Sequence, residues 1–308
     1  MTILITGADG YVGRALVTRL LQTRTDPLVL LDRQFAGIPP HARIRLLAGD
    51  LADPDILSQA TEDRVDQVFH LASVPGGAAE RDFELGLRVN LEGTIALLEA
   101  VRRQGCVPRF VFASTIGVYG VPMPSSIDES TVPQPTLSYG AQKCIGEILI
   151  RDYSRRGFID GCALRLPAIV ARPGEPSGLL SGFLSNLFHE LAAGRTFTCP
   201  VGPDGKTWLM SRRCIVDNLL HAACLTGKQL VAQRVWLLPV LHATMTEIVA
   251  AIARVHGNQV LANVRYEPNA PLQAQFADYP PLACPRSVAA GFKNDGSLET
   301  LVQRALES

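Results

Sequence analysis

The 308-residue sequence predicts an α/β fold: a doubly wound Rossmann parallel sheet with a smaller, discontinuous C-terminal substrate lobe. Three observations carry that expectation. The chain opens on an apolar strand, followed at once by the glycine-punctuated run Gly7-Ala8-Asp9-Gly10-Tyr11-Val12-Gly13 and an apolar-periodic helix. Short apolar runs then alternate with helical periods as far as residue 166, the rhythm of strands joined by helical crossovers. Beyond that point Pro173, Gly174, Pro176, Gly178, Gly182, Pro200, Gly202, Pro203 and Gly205 interrupt shorter elements and set a lobe apart. The expected division is 1–170 plus 212–245 for the Rossmann domain and 171–211 plus 246–308 for the lobe.

Taken in order, Thr2–Thr6 reads as the first strand and 11–23 as a helix whose apolar residues recur at helical spacing. Strands follow at Leu28–Asp32 and Ile44–Ala48, a helix at 54–63, and a strand at Gln67–Leu71. A long helical stretch is expected at 79–104, a strand at Arg109–Ser114, a Pro-rich loop at 120–136, a helix at 139–156 and a strand at 161–166. In the remainder, a helix is expected at 179–193, a strand at Val235–Leu238, and helices at 244–256 and 297–306. Pro268, Pro271, Pro280, Pro281 and Pro285 make the intervening tail irregular.

The first turn has chemical content. Glycines permit positive φ and close approach of backbone to a pyrophosphate, and the helix that opens there presents N–H groups and the positive end of its dipole. Gly7, Gly10, Tyr11, Val12 and Gly13 are therefore expected to hold a dinucleotide. The second strand ends in Asp32, about 20 residues past the loop, where a carboxylate accepts hydrogen bonds from an adenosine ribose and repels a 2′-phosphate. That favours NAD over NADP, although Arg33, next in sequence, is a potential partner for such a phosphate.

Composition narrows the class. Twenty-nine basic residues balance 29 acidic ones with no long run of either sign, so neither nucleic acid nor an anionic membrane surface is an expected partner. No apolar stretch reaches the roughly 18 residues of a membrane helix, and a strand starting at residue 2 leaves no room for a signal peptide, so a cytoplasmic protein is expected. Seven scattered cysteines without a CxxC pair read as reduced thiols, and six dispersed histidines give no ligand spacing, so no metal is expected. His70, closing an apolar strand, and Cys144, turned away from the active helix face, read as structural.

A second constellation lies after the Pro-rich loop. In Ser138-Tyr139-Gly140-Ala141-Gln142-Lys143, Tyr139 and Lys143 share one helical face. An adjacent ammonium favours the phenolate, which lets a tyrosine take a proton from an alcohol near neutral pH. Lysines make up only four of the 29 basic side chains, which makes this one more telling. Upstream, Ser114 and Thr115 deliver two hydroxyls to the carboxyl edge of the sheet, where ligands sit in open α/β folds; one of them is expected to hold the substrate oxygen.

With these motifs in order, joined by Gly49-Asp50-Leu51, His70-Leu71-Ala72-Ser73, Val89-Asn90 and Val118-Tyr119-Gly120, the chain resembles the extended short-chain dehydrogenase/reductase superfamily, of NAD-dependent epimerase/dehydratase type. The resemblance implies Thr115, Tyr139 and Lys143 as the catalytic set. It also implies that Asp50 and Leu51 flank adenine, Leu71, Ala72 and Ser73 line the cofactor with Ser73 near substrate too, Asn90 orders the site, and Pro167 and Ile169 approach nicotinamide. Lys143 would reach the cofactor ribose. A homodimer through a four-helix contact is implied as well.

Many superfamily members act on sugar nucleotides and carry an asparagine where this chain has Pro167. Instead Gly77–Glu84, Ser138–Lys143, Asp152–Phe158 and Ala171–Gly174 look like the D-erythronate dehydrogenase family. That likeness implies NAD-dependent oxidation of the C2 hydroxyl of a short sugar acid to the 2-oxo acid. Arg172 would meet the substrate carboxylate, unless it forms a loop-fixing salt bridge, with Ser177 and Trp208 shaping the pocket. Arg212 and Arg213 are further candidates. Two other readings stand beside it: a sugar-nucleotide epimerase or dehydratase with tightly bound NAD, and a non-catalytic NAD(P)-sensing protein.

Overall fold

The computed structural model describes residues 1–173 and 181–307. Its main sheet holds β1 (Ile3–Thr6), β2 (Leu28–Asp32), β3 (Ile44–Ala48), β4 (Gln67–His70), β5 (Arg109–Thr115), β6 (Asp160–Leu166) and β7 (Val235–Leu237), in the order β7-β6-β5-β4-β1-β2-β3. β1 pairs in parallel with both β2 and β4, β2 with β3, and β4 with β5. Every residue of β1 and β4 is buried, as expected of central strands covered on both faces. The strand order reverses between β1 and β4, and a crevice at the carboxyl ends of the strands opens at such a switch point. The doubly wound sheet is as predicted.

Helices α1 (Tyr11–Thr23), α2 (Gly93–Arg103) and α3 (Ser138–Arg155) follow strands as expected. Leu97, Leu98 and Val101 of α2 and Ile150 of α3 enter the core with Leu4, Val29, Leu31, Val68, Phe110 and Phe112 of the sheet. The single helix expected over 79–104 is instead four pieces: Gly76–Arg81, Phe83–Gly86, a π-helical turn at Leu87–Glu92, and α2. Asp82 breaks the first from the second; its backbone leaves the helical region and its side chain accepts from Leu85 N. The π turn contains Asn90, fully buried, and such turns recur at functional positions.

The chain divides into two compact units: Met1–Val118, Leu137–Arg165 and Val216–Trp236 in the first, Tyr119–Thr136, Leu166–Ile215 and Leu237–Ser308 in the second. Residues 119–136, which the sequence leaves with the Rossmann domain, group with the second unit. There Ile127–Asp128 pairs with Leu282–Ala283, and the Glu129 carboxylate accepts from Arg286 Nε and Ser287 N. The second unit is built on Lys206–Ser211, antiparallel to Leu241–Thr244 and parallel to Ala168–Val170. Lys206–Ser211 is not among the strands expected from the sequence; its apolar centre, Trp208-Leu209-Met210, follows closely on Pro200, Gly202, Pro203 and Gly205. The helices Met245–His256 and Leu298–Leu306 start on Thr244 and Ser297 caps. No helix among the described residues is long and apolar enough to cross a membrane.

Candidate active site

The first unit by itself brings together the glycine loop, the β2 carboxylate, the β5 hydroxyls and the face of α3. Gly7 has φ of 70°, and a methyl group there would lie 2.6 Å from Ala72 N. A methyl on Gly13 would lie 2.2 Å from Gly7 O. Gly7 is therefore required by the close approach of the loop to the segment after β4, and Gly13 by the close approach of α1 to the loop's own backbone. Gly10 caps α1 without any side-chain hydrogen bond, and the first turn carries no acidic residue. An anionic pyrophosphate fits that helix N-terminus. Tyr11 and Val12 form its first turn.

Asp32 closes β2 half-buried, accepting from Asp9 N at 2.8 Å and from Arg33 N at 2.7 Å. Burial pushes its carboxyl above the ordinary range, against those two backbone donors. Asp50 pairs with Arg88 at 2.9 Å, whereas Leu51 is buried in the core beneath Gly93. Leu71, Ala72 and Ser73 run half-buried from the end of β4, and Leu71 N donates to Thr6 O. His70 is structural, as expected: its ring nitrogens contact Thr6 Oγ1 at 2.7 Å and Thr94 Oγ1 at 2.8 Å, and burial holds it neutral.

The Thr115 hydroxyl and the Tyr139 ring both border Gly117. A methyl there would lie 3.3 Å from Thr115 Oγ1 and 4.0 Å from Tyr139 Cδ1. On another side of Tyr139 Cδ1, a methyl on Gly76 would lie at 3.6 Å. Tyr139 is half-buried; Lys143, one turn on, is 1% exposed. Lys143 Nζ stands 4.7 Å from the centroid of Phe112 and 5.9 Å from that of Tyr139. Desolvation lowers the lysine from its ordinary 10.5 to about 7.

Ser114 and Thr115 separate cleanly. Ser114 points into the core and donates to Glu147 Oε1, while Arg165 grips the same carboxylate at 2.9 and 2.7 Å through Nε and Nη2. Thr115 is the hydroxyl left at the carboxyl edge, accepting from Gly117 N at 3.0 Å. Glu147 and Arg165 were not among the sequence-derived residues. The signal for Glu147 is its place four residues after Lys143, legible only once Arg165 is known to lie beside it.

Asn90 and Trp208 both lie in the interior, and for Trp208 this corrects the expected pocket role. Asn90 is fully buried and orders backbone, as expected: Oδ1 accepts from Val74 N at 2.7 Å, and Nδ2 donates to Val74 O and to Gln142 Oε1. It pins the strand-end loop to α3. Trp208, expected to shape a pocket, is 0% exposed, donates Nε1–H to Pro280 O at 2.9 Å and packs edge-on against Tyr279; it is core of the second unit, its indole too large to leave outside a three-stranded sheet.

The other second-unit candidates divide. Pro167 is buried, and buried Ile169 pairs in register with Met210. Arg172 is half-buried; its backbone N donates to Ser185 Oγ and its carbonyl contacts His189 Nε2 at 2.8 Å. Ser177 lies outside the described residues. Arg212 and Arg213 both reach Glu307. No cluster of three or more His, Cys, Asp or Glu fit to hold a metal occurs among the described residues.

Comparison with known proteins gives the chain a family and relatives. The family model described as NAD dependent epimerase/dehydratase matches residues 3–209. D-erythronate dehydrogenase of Cupriavidus necator is 40% identical over 318 residues, covering 100% of this chain and 98% of that protein. The Haemophilus influenzae protein of the same name is 32% identical, covering 100% and 99%. Among solved structures, a nucleoside-diphosphate-sugar epimerase from Agrobacterium tumefaciens superposes with a TM-score of 0.91 at 36% identity, over 98% of this chain and 92% of that one.

Proposed function

The chain belongs to the NAD dependent epimerase/dehydratase family, and from that premise we propose that it is an NAD-dependent dehydrogenase oxidising the C2 hydroxyl of a short sugar acid, D-erythronate or a close aldonate, to the 2-oxo acid. One observation carries the catalytic assignment: Thr115 and Tyr139 flank the same glycine at the sheet's carboxyl edge, with the Lys143 amine buried one helical turn behind. Full-length similarity to two D-erythronate dehydrogenases supports the substrate class.

Bound NAD supplies the hydride acceptor. Thr115 Oγ donates a hydrogen bond to the C2 oxygen and Tyr139 Oη as phenolate takes the hydroxyl proton, which readies C2 for the oxidation that NAD would supply. Lys143, buried one helical turn behind, holds the phenolate charge in its ammonium form. Gly7, Gly10, Tyr11, Val12 and Gly13 would cradle the pyrophosphate, Asp32 would accept from the adenosine ribose and disfavour a 2′-phosphate, and Asp50 and Leu71–Ser73 would complete the cofactor wall. Arg172 is the proposed carboxylate partner, and the active form is a homodimer.

The test is NADH formation with C4 and C5 aldonates, run beside Tyr139→Phe. Turnover on one aldonate that the variant abolishes is the expected outcome. The name of the Agrobacterium structure favours a second reading, epimerisation of a sugar nucleotide, which predicts retained NAD and no net reduction with any acid.

A further inference from the structure

Asp9, inside the glycine loop, has a carboxylate that the reaction does not use. Its side chain is 7% exposed, although it sits in a phosphate-binding turn where a negative charge is unfavourable. Four donors hold it there: Ala36 N at 2.8 Å, Gly37 N at 3.1 Å, and Arg14 through Nε at 3.0 Å and Nη2 at 2.9 Å. Arg14 Nε also reaches Asp9 O at 2.7 Å. The backbone N–H of the same residue donates to Asp32. Asp9 thus connects the nucleotide loop, the carboxylate that ends β2, the segment that follows it, and a guanidinium.

Gly37 completes the clasp. A methyl there would lie 2.2 Å from Arg14 Cζ, so the guanidinium lies flat against bare backbone. Arg14 is close enough to Asp32 for its charge to pull that carboxyl down, while the Asp9 charge pushes it up. Arg14 is therefore a cation near the ribose end of the loop, held by Nε and Nη2 on the Asp9 carboxylate although its side chain is 47% exposed. Freed from Asp9, it has the fork geometry that receives a phosphate.

We propose that Asp9 is a specificity residue for the cofactor: by keeping Arg14 and the 33–37 segment on its own carboxylate, it denies an adenosine 2′-phosphate the guanidinium that would bind it. The proposal rests on the reading of this loop as the dinucleotide site. Asp32 repels the phosphate directly, whereas Asp9 acts by sequestering the nearest cation, so the two effects are separable.

The experiment measures affinities of ADP-ribose and 2′-phospho-ADP-ribose by titration calorimetry, which needs no substrate and no turnover. Asp9→Asn is expected to shift the ratio toward the 2′-phosphate about ten-fold, the scale of one unpaired charge acting near a surface. Asp9→Asn combined with Arg14→Gln is expected to lose that gain. An unchanged ratio in Asp9→Asn overturns the assignment, and so does a gain that persists in full in the double variant. Asp9→Ser, which keeps one acceptor for the 36–37 amides, is the second variant; if both single variants unfold and lose ADP-ribose together, Asp9 is a structural clamp and the proposal fails. Wild-type protein that binds ADP-ribose while these tests fail overturns this inference alone; wild-type protein that binds neither ligand overturns the dinucleotide reading as well.

Discussion

Lys143 is expected to make the stability of the fold depend on pH. Its amine is buried against Phe112 and lowered to about 7, so the folded chain releases a proton that the unfolded chain keeps. Below about pH 7 both states are protonated and the folded state bears the whole cost of burying the charge; above 10.5 neither is. Between those values stability rises with pH, by at most about 1.4 kcal/mol per unit for one proton. Thermal melts of wild type and Lys143→Met over this window are expected to converge toward alkaline pH; parallel curves would show that the amine is not depressed. The two β5 hydroxyls give a second contrast. Thr115→Val is expected to lower kcat about 10²-fold or more, the effect of removing one donor from a reacting oxygen, with little change in melting temperature. Ser114→Ala is expected to do the reverse, since its hydroxyl serves the buried Glu147: a loss of about 1–3 kcal/mol of stability and near-normal kcat. Steady-state rates and melts on the same preparations decide it. That Ser114 rather than Thr115 is spent on Glu147 was open from the residues alone, since both hydroxyls end one strand and alternation only says that they point opposite ways.

At the scale of elements, α3 is fixed by two buried polar ties. Asn90 in the π turn joins it to the loop after β4 through Gln142, and Glu147 joins it to β5 and β6 through Ser114 and Arg165, whose ion pair is 4% and 9% exposed. Breaking such a pair leaves one uncompensated buried charge, so Glu147→Ala is expected to cost about 3–5 kcal/mol in a denaturant titration, and Glu147→Met with Arg165→Met to recover much of it. A cost in the single variant equal to that in the double would mean the pair is not acting as a unit. These ties explain what the sequence could and could not show. The β1–loop–α1 unit, Asp32 and the Tyr139–Lys143 pair were legible because each depends on local spacing. The π turn was not, because the buried positions in and beside it are Gly86, Asn90, Gly93 and Thr94 rather than apolar side chains, and the bond that Asn90 accepts from Val74 N is long-range. Nor was the strand Lys206–Ser211, whose pairing partners lie at 168–170 and 241–244.

The whole molecule raises the question of what covers the outer faces of α2 and α3. The two helices are tied by Tyr153 Oη donating to Glu99 at 2.6 Å, and their exposed sides carry apolar residues: Ile95 is 39% exposed, Ile145 41% and Ile148 57%. Ile145 and Ile148, three apart, share one side of α3. An isologous contact would bring two copies of each helix together in a four-helix layer, self-complementary as a two-fold axis demands. Burying these isoleucines would contribute roughly 25 cal/mol per Å² of apolar surface removed from water, and a stable pair needs on the order of 1,200 Å² or more in all. Sedimentation equilibrium is therefore expected to give twice the chain mass at micromolar concentration. Ile148→Glu, placing a charge at the centre of the contact, is expected to give the monomer, with the melt of the monomeric unit little changed because the side chain is already exposed in one copy. A wild-type monomer across the concentration range, or an Ile148→Glu protein that sediments like wild type, would place the subunit contact elsewhere or remove it altogether.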